Sequence, residues 1–229
     1  MPRIFLPLPF AAGAELALPA AAARHVQVLR LQPGATIELF NGTDGCDWPA
    51  EIVRMGRHAV DVRIGAARAI DRELVCAVTL ALGVPANDRM DALVEKAGEL
   101  GAAAIQPLVC ERSVLRLSAE RAEAKQRHWS AVAASASEQC GRTRVTEVLA
   151  VRPFSAWLAS AAAASGIRIV LSLDPSAAGP ASVPSDANGA MLVLSGPEGG
   201  LSESEESAAA ARGFRRVGLG PRVLRADTA

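Results

Sequence analysis

The chain has 229 residues, with Lys+Arg and Asp+Glu both at 24, so its formal net charge is zero. Half of the residues are apolar, 21% are charged and only 3% are aromatic, which excludes a disordered or coiled-coil composition and calls for an aliphatic core. At about 150 residues per domain the length allows one large domain or two small ones, and the balanced charge alone points to no nucleic-acid partner.

Only Lys96 and Lys125 are lysines, so almost every cation is an arginine. A GC-rich genome explains that bias without function; the match of a planar guanidinium to phosphate explains it with one. Cys46, Cys76, Cys110 and Cys140 are widely spaced and form no CxxC pair, which fits neither a metal site nor a disulfide framework. Prolines at 2 and 7 interrupt any signal-peptide helix, and no run of about eighteen apolar residues marks a membrane span. A soluble, reducing, cytoplasmic setting is expected, without membrane or metal.

From the N-terminus to Asp71, short strand-like runs alternate with turns. Residues 20–31 predict a helix closed by Pro33-Gly34. Strands are expected at 36–40, 50–53 and 59–64, with hairpin signals at Asn41-Gly42 and Asp44-Gly45. A small β-barrel over residues 1–71 is the economical reading.

Over residues 72–229 strands alternate with helices, as in an α/β domain with a mostly parallel sheet. Residues 75–82 read as a strand buried on both faces. Asp88 is placed to cap a helix that carries Met90, Leu93, Val94, Ala97 and Leu100 and stops at Gly101. Further strands are expected at 104–109, 169–173, 191–194 and 216–219, with a long helix through Trp129, Val132 and Ala136. Residues 174–189, rich in small residues and proline, predict a mobile loop.

Two segments carry the chemistry. In the first, 191–205, a buried strand enters Ser195-Gly196-Pro197-Glu198-Gly199-Gly200 and then a helix fixed at Ser202 by the Ser-x-x-Glu capping box with Glu205. Open α/β sheets bind ligands in such loops. The loop lacks the dinucleotide and P-loop fingerprints, and Glu198, Glu203, Glu205 and Glu206 disfavour phosphate, so a neutral or cationic ligand such as a sulfonium fits. The second segment, Leu219-Gly220-Pro221-Arg222-Val223-Leu224-Arg225, leaves another short strand through Gly-Pro; together the two loops can grip one planar ligand. Glu111-Arg112-Ser113 and Glu138-Gln139-Cys140-Gly141-Arg142 are weaker signals, since Glu-Arg pairs are common on surfaces.

These motifs stand in order with Lys96…Glu99-Leu100-Gly101, Pro107 and Trp129, after Pro2-Arg3-Ile4-Phe5, His25…Val28-Leu29-Arg30 and Phe40-Asn41-Gly42. Together they resemble the RsmE family, the 16S ribosomal RNA (uracil-N3)-methyltransferases, over nearly the whole chain. The resemblance implies a PUA-like β-barrel followed by a SPOUT-type α/β domain with a C-terminal trefoil knot, a rare exception to unknotted connections. It implies S-adenosyl-L-methionine held by Leu173, Leu194, Gly196, Glu198, Gly199, Gly200, Leu219, Gly220 and Leu224. It also implies a homodimer acting on 16S rRNA or the small ribosomal subunit. Asp227 stands where the family has Glu, and the family's C-terminal helix is expected to be missing after Ala229.

Methylation of uridine N3 needs stabilisation of negative charge on the uracil, for which Arg112, Arg142 and Arg225 are the candidates. No general base is identifiable: His25, His58 and His128 read as ordinary polar residues. Arg3, Arg24 and Arg30 are candidates for RNA phosphates. Trp48, Trp129 and Trp157 are expected to fill the core rather than stack on bases. Position qualifies the neutral total: residues 112–144 carry +4, 212–225 carry +5 and 198–206 carry −4. A methyltransferase acting on another RNA, and a non-catalytic RNA-binding or assembly factor, remain alternatives.

Overall fold

A computed structural model of the chain describes residues 1–57, 59–86, 89–114, 118–161, 166–184, 189–226 and 228. The chain forms two compact units, Met1–Glu73 with Ser137–Val145, and Leu74–Ala136 with Thr146–Ala229. The return segment 137–145 thus belongs to the first unit, which a division near Asp71 does not anticipate.

The first unit contains β1 (Arg3–Phe5), β2 (Glu15–Ala17), α1 (Ala20–Val28), β3 (Thr36–Phe40), β4 (Cys46–Met55), β5 (Val60–Ile64) and β6 (Arg68–Ala69). Its sheet runs β1-β3-β4-β5-β2, with β6 on β4. Only the β1–β3 pair is parallel. Alternating residues of the strands, Ile37 and Leu39, Ile52, and Val60 and Val62, meet Val26 of α1 in a fully buried core. The β3–β4 connection is an Asx turn: Asn41 Oδ1 accepts from the N–H groups of Thr43 (2.9 Å) and Asp44 (3.1 Å).

The helix expected over 20–31 is shorter, because α1 closes in a Schellman motif. Leu31 N–H bonds to Val26 O and Arg30 N–H to Gln27 O (2.9 Å), which turns Arg30 to φ 55°. Among the described residues Arg30 alone of the non-glycines has positive φ.

Most arginines of this unit are tied within it. Arg3 pairs with Asp47 (2.5 Å), donates to the carbonyls of Ser137 and Arg142, and lies over the Phe40 ring. Arg54 pairs with Asp61, Arg63 with Glu15 and Arg68 with Glu38. Arg72 donates to Gly141 O (2.6 Å), and the buried Arg142 grips Glu73 through Nε and Nη2.

The second unit contains β7 (Ala77–Gly83), α2 (Arg89–Glu99), β8 (Ala104–Val109), α3 (Ala119–Cys140, whose last turn lies in the first unit), β9 (Glu147–Val148), β10 (Arg152–Pro153), α4 (Phe154–Ala161), β11 (Ile167–Leu171), β12 (Ala190–Ser195), α5 (Glu203–Ala211) and β13 (Arg215–Val217). Every pairing in its seven-stranded sheet is parallel, in the order β10-β8-β7-β12-β11-β13 with β9 on β8. The strand read at 75–82 begins later, and only its C-terminal half is buried: Val75 is exposed, while Ala81 and Leu82 are buried. Phe154, Trp157 and Leu158 of α4 pack with Ala209, Phe214, Val170 and Leu194 in one core. Helices α2 and α3 are joined by Asp91, which accepts from Trp129 Nε1 (3.1 Å) and meets His128 Nε2 (2.6 Å). Trp129 and Trp157 are buried as expected, and Trp48 is partly buried against the first core. Between β11 and β12 a 3-10 turn at Pro180–Ser182 and a bridge from Ala178 to Val217 give structure to a stretch read as a mobile loop. The proposed cap Asp88, His58 and Asp227 lie outside the described residues.

Candidate cofactor cleft

Parallel strands end on the same edge of a sheet, so the loops that follow them gather there. In the second unit the loops after β11, β12 and β13 bound one cleft of about 560 Å³, with Arg112 from the loop after β8 at its side. That volume is in the range of small-molecule sites, about 300–1,000 Å³.

The loop after β12 closes tightly on itself. A Cβ on Gly196 would stand 2.5 Å from Leu201 N, and Gly200 has φ 68°. The loop also presses on the end of β7, where a Cβ on Gly83 would meet Pro197 N at 2.5 Å. The capping box forms as expected: Glu205 N–H donates to Ser202 Oγ (3.2 Å) and Ser202 N–H to Glu205 Oε2 (3.0 Å). Glu205 does more than cap. Its Oε1 accepts the Glu111 N–H (2.8 Å), which fixes the loop after β8, and the next residue, Arg112, donates from Nη1 to Gly199 O (3.0 Å). The capping box, the glycine loop and the arginine are therefore one connected unit.

A second network lines the cleft. Glu206 Oε1 accepts from Ser172 Oγ (2.7 Å) and Arg216 Nε (2.7 Å), while Ser172 Oγ accepts the Asp174 N–H (3.1 Å). It ties the ends of β11 and β13 to α5. Asp174, which also lines the cleft, is held below the usual carboxylate range, first by the Ser176 N–H and then by its hydroxyl. Glu198 accepts from the Ala86 N–H (3.0 Å) and pairs with Arg89 (3.3 Å). Of the four glutamates in 198–206, three are thus engaged by the protein, and the local charge is less negative than the sequence suggests. Cys110, just before Glu111, is buried; burial first, then the Glu205 charge, pushes its thiol up to about 12. No His/Cys/Asp/Glu cluster suited to a metal occurs among the described residues.

The cleft brings together Leu173, Gly196, Glu198, Gly199, Gly200, Leu219, Gly220 and Leu224 of the expected cofactor residues, and Arg112. Leu194 is not among the lining residues, because β12 lies inside the sheet and its side chain is fully buried in the core. Arg225 is exposed between Leu224 and Ala226, which line the cleft while it does not; Arg222 takes the lining position. Arg142 is buried against Glu73 in the first unit and is not a lining residue, so the cleft does not bring it together with Arg112. Arg3 is placed in the same way: held by Asp47 and two carbonyls, its side chain is only 12% exposed, which keeps it from phosphate. Arg24 and Arg30 are exposed. Ser172 and Arg216 escaped the sequence reading, which took Glu206 only as an acid disfavouring phosphate, since their pairing joins residues 34 and 10 apart with no local signature.

A family model described as an RNA methyltransferase domain matches residues 72–229, and one described as an RNA methyltransferase PUA domain matches residues 18–65. Ribosomal RNA small subunit methyltransferase E of Bacillus subtilis (strain 168) is 31% identical over 211 residues, 89% of this chain and 81% of that one. The crystal structure of the Neisseria gonorrhoeae ribosomal RNA small subunit methyltransferase E bound to S-adenosyl methionine superposes with a TM-score of 0.91 at 33% identity, covering 100% of this chain and 93% of that one. A Legionella pneumophila protein solved with bound SAM gives a TM-score of 0.92 at 32% identity, covering 99% and 92% of the two chains. The chain belongs to the ribosomal RNA small subunit methyltransferase E family of RNA methyltransferases.

Proposed function

We propose that this chain methylates N3 of one uridine in the 16S RNA of the small ribosomal subunit, using S-adenosyl-L-methionine, in the cytoplasm. The observation that carries the reading is the cleft formed by three strand-following loops, beside a guanidinium held on the glycine loop. The cleft residues suit this cofactor. Leu173, Leu219 and Leu224 offer apolar surface to an adenine, while Gly196, Gly199, Gly200 and Gly220 let backbone approach it. Asp174 and Glu203 keep carboxylates at the cleft, and neither makes an ion pair among the described residues.

S-adenosylmethionine supplies an electrophilic methyl carbon on a sulfonium. The protein must hold uridine N3 in line with that carbon and stabilise the imide as its proton leaves. Arg112 has the position for this. One N–H is spent on Gly199 O, which fixes the guanidinium, and other donors remain for a uracil carbonyl oxygen that gains negative charge. Arg225, exposed next to the cleft, is the second candidate to contact the RNA. Among the described residues no histidine lines the cleft, and His128 is paired with Asp91.

The domain reading, a PUA-like RNA-binding unit over 1–71 and a methyltransferase unit over 72–229, extends the two family matches to the full chain. A trefoil knot and a homodimer with a shared RNA site also belong to this reading. The return of β13 to pair with β11, outside β12, supports the knot; the exposed Val223 at the cleft supports an interface that covers it. Calorimetry tests the reading: S-adenosylmethionine should bind the chain at one site per protomer. Absence of binding, with RNA affinity retained, would favour a non-catalytic RNA-binding factor.

A further inference from the structure

The ten arginines of the first unit divide into two groups. Six are tied to carboxylates or carbonyls as described above. Arg24, Arg30, Arg57 and Arg144 make no ion pair or side-chain hydrogen bond among the described residues, and all four are exposed.

Three of these four share one stretch of surface. Arg24 is on α1. Gln27, one helical turn further on, donates from Nε2 to the carbonyls of Gly56 (2.9 Å) and Arg57 (3.2 Å), which docks the β4–β5 turn on the helix. Arg30 follows Gln27 by three residues, at the C-terminal end of the same helix. Val28 and Leu29, 71% and 42% exposed, lie between Arg24 and Arg30 in the chain. Cations interleaved with apolar side chains, with no carboxylate competing for them, suit a ribose-phosphate backbone.

Arg30 adds an independent observation. It occupies the residue after the helix C-cap in a Schellman motif, at φ 55°, a position whose backbone favours glycine. The other positive-φ residues described, ten in number, are all glycines. Among the described residues the Arg30 side chain makes no ion pair or hydrogen bond, so only the helix dipole favours a cation there. Strain kept at one residue without an internal partner points to a partner outside the chain.

Resting on the RNA-methyltransferase reading, we infer that Arg24, Arg30 and Arg57 form a phosphate-binding patch through which the first unit engages RNA, with Arg30 held in place at the expense of its backbone. Arg57 is new to this surface, and Arg3 is removed from it.

The test titrates the full chain with protein-free 16S ribosomal RNA between 50 and 200 mM salt, roughly the span over which phosphate contacts show. Arg30→Gly and Arg57→Gln should each weaken binding about tenfold, the size of one charge-assisted hydrogen bond. Each should also lower the salt slope by about one. Calorimetric affinity for S-adenosylmethionine should not change, Arg30→Gly should melt at or above the parent temperature, and Arg63→Gln, which removes an arginine paired with Glu15, should keep RNA affinity. Unchanged affinity and salt slope in Arg30→Gly and Arg57→Gln overturn the patch, as does a loss that tracks a lowered melting temperature. RNA binding by the variants equal to the parent's, combined with weaker binding to whole subunits, overturns it in favour of a protein partner. A parent chain that binds neither the free RNA nor whole small subunits overturns the methyltransferase reading as well.

Discussion

Arg112 and Arg142 are adjacent to acidic residues in the chain or in space, and the structure gives them different surroundings. Arg112 spends one N–H on Gly199 O and lines the cleft. Arg112→Ala is therefore expected to reduce methyl transfer by about 10²–10³, the effect of losing one donor to a developing oxyanion. Its S-adenosylmethionine affinity, read by calorimetry, should stay within about threefold of the parent value, less than one hydrogen bond; unchanged turnover would remove Arg112 from the mechanism. Arg142 is 4% exposed and bound bidentately to Glu73. Arg142→Ala leaves that carboxylate partly buried without its partner and is expected to lower unfolding free energy by about 3 kcal/mol. Chemical denaturation of the variant measures it, and a variant as stable as the parent but inactive would return Arg142 to the chemistry. Cys110, with its thiol pushed up to about 12, should be the slowest of the cysteines to alkylate at pH 8. Against an ordinary thiol near 8.5 its thiolate fraction is lower by about a thousandfold. Because that folded value is raised, the stability it contributes is present below about pH 8.5 and is lost as pH climbs toward 12. Mass spectrometry of partially alkylated protein reads the order, and rapid labelling at Cys110 would contradict its burial.

At the scale of elements, legibility followed periodicity. The strands at 36–40 and 104–109 were readable to the residue, because each is a short β-branched or aliphatic run with clear ends. The capping box located α5, since Ser202 and Glu205 satisfy each other locally. Strands β1, β2, β6, β9 and β10 hold only two or three residues each and show no period, and α4, an alanine-rich stretch, has no start signal. The burial of Arg3 was equally hidden, as its partners Asp47 and Ser137 are 44 and 134 residues away. Of the cleft, the glycine loops were legible because glycine at close backbone approaches is a local requirement; the Ser172–Glu206–Arg216 network was not, because it depends on strand order. The cap carries a prediction at this scale. Ser202→Ala should lower stability by about 1 kcal/mol, and because Glu205 also holds the Glu111 N–H, Glu205→Ala should cost more. Equal losses in urea titrations of the two variants would show that the Glu205–Glu111 bond contributes nothing.

For the whole molecule, a formal charge of zero conceals a division of labour. In the first unit the acids are largely spent on neutralising arginines inside the fold, and the cations left over are on its surface. In the second unit the acidic run 198–206 is mostly consumed in holding loops, which leaves a cleft of mixed charge rather than an anionic one. Both arrangements suit a protein that takes a compact cofactor in one unit and a polyanion along another. The most direct measurement is mass spectrometry of 16S ribosomal RNA, from small subunits lacking this modification, after incubation with the chain and S-adenosylmethionine. A single 3-methyluridine should appear, dependent on the cofactor and lost with Arg112→Ala. Methylation at another base or atom, or none by a chain that binds the cofactor, would contradict the assignment.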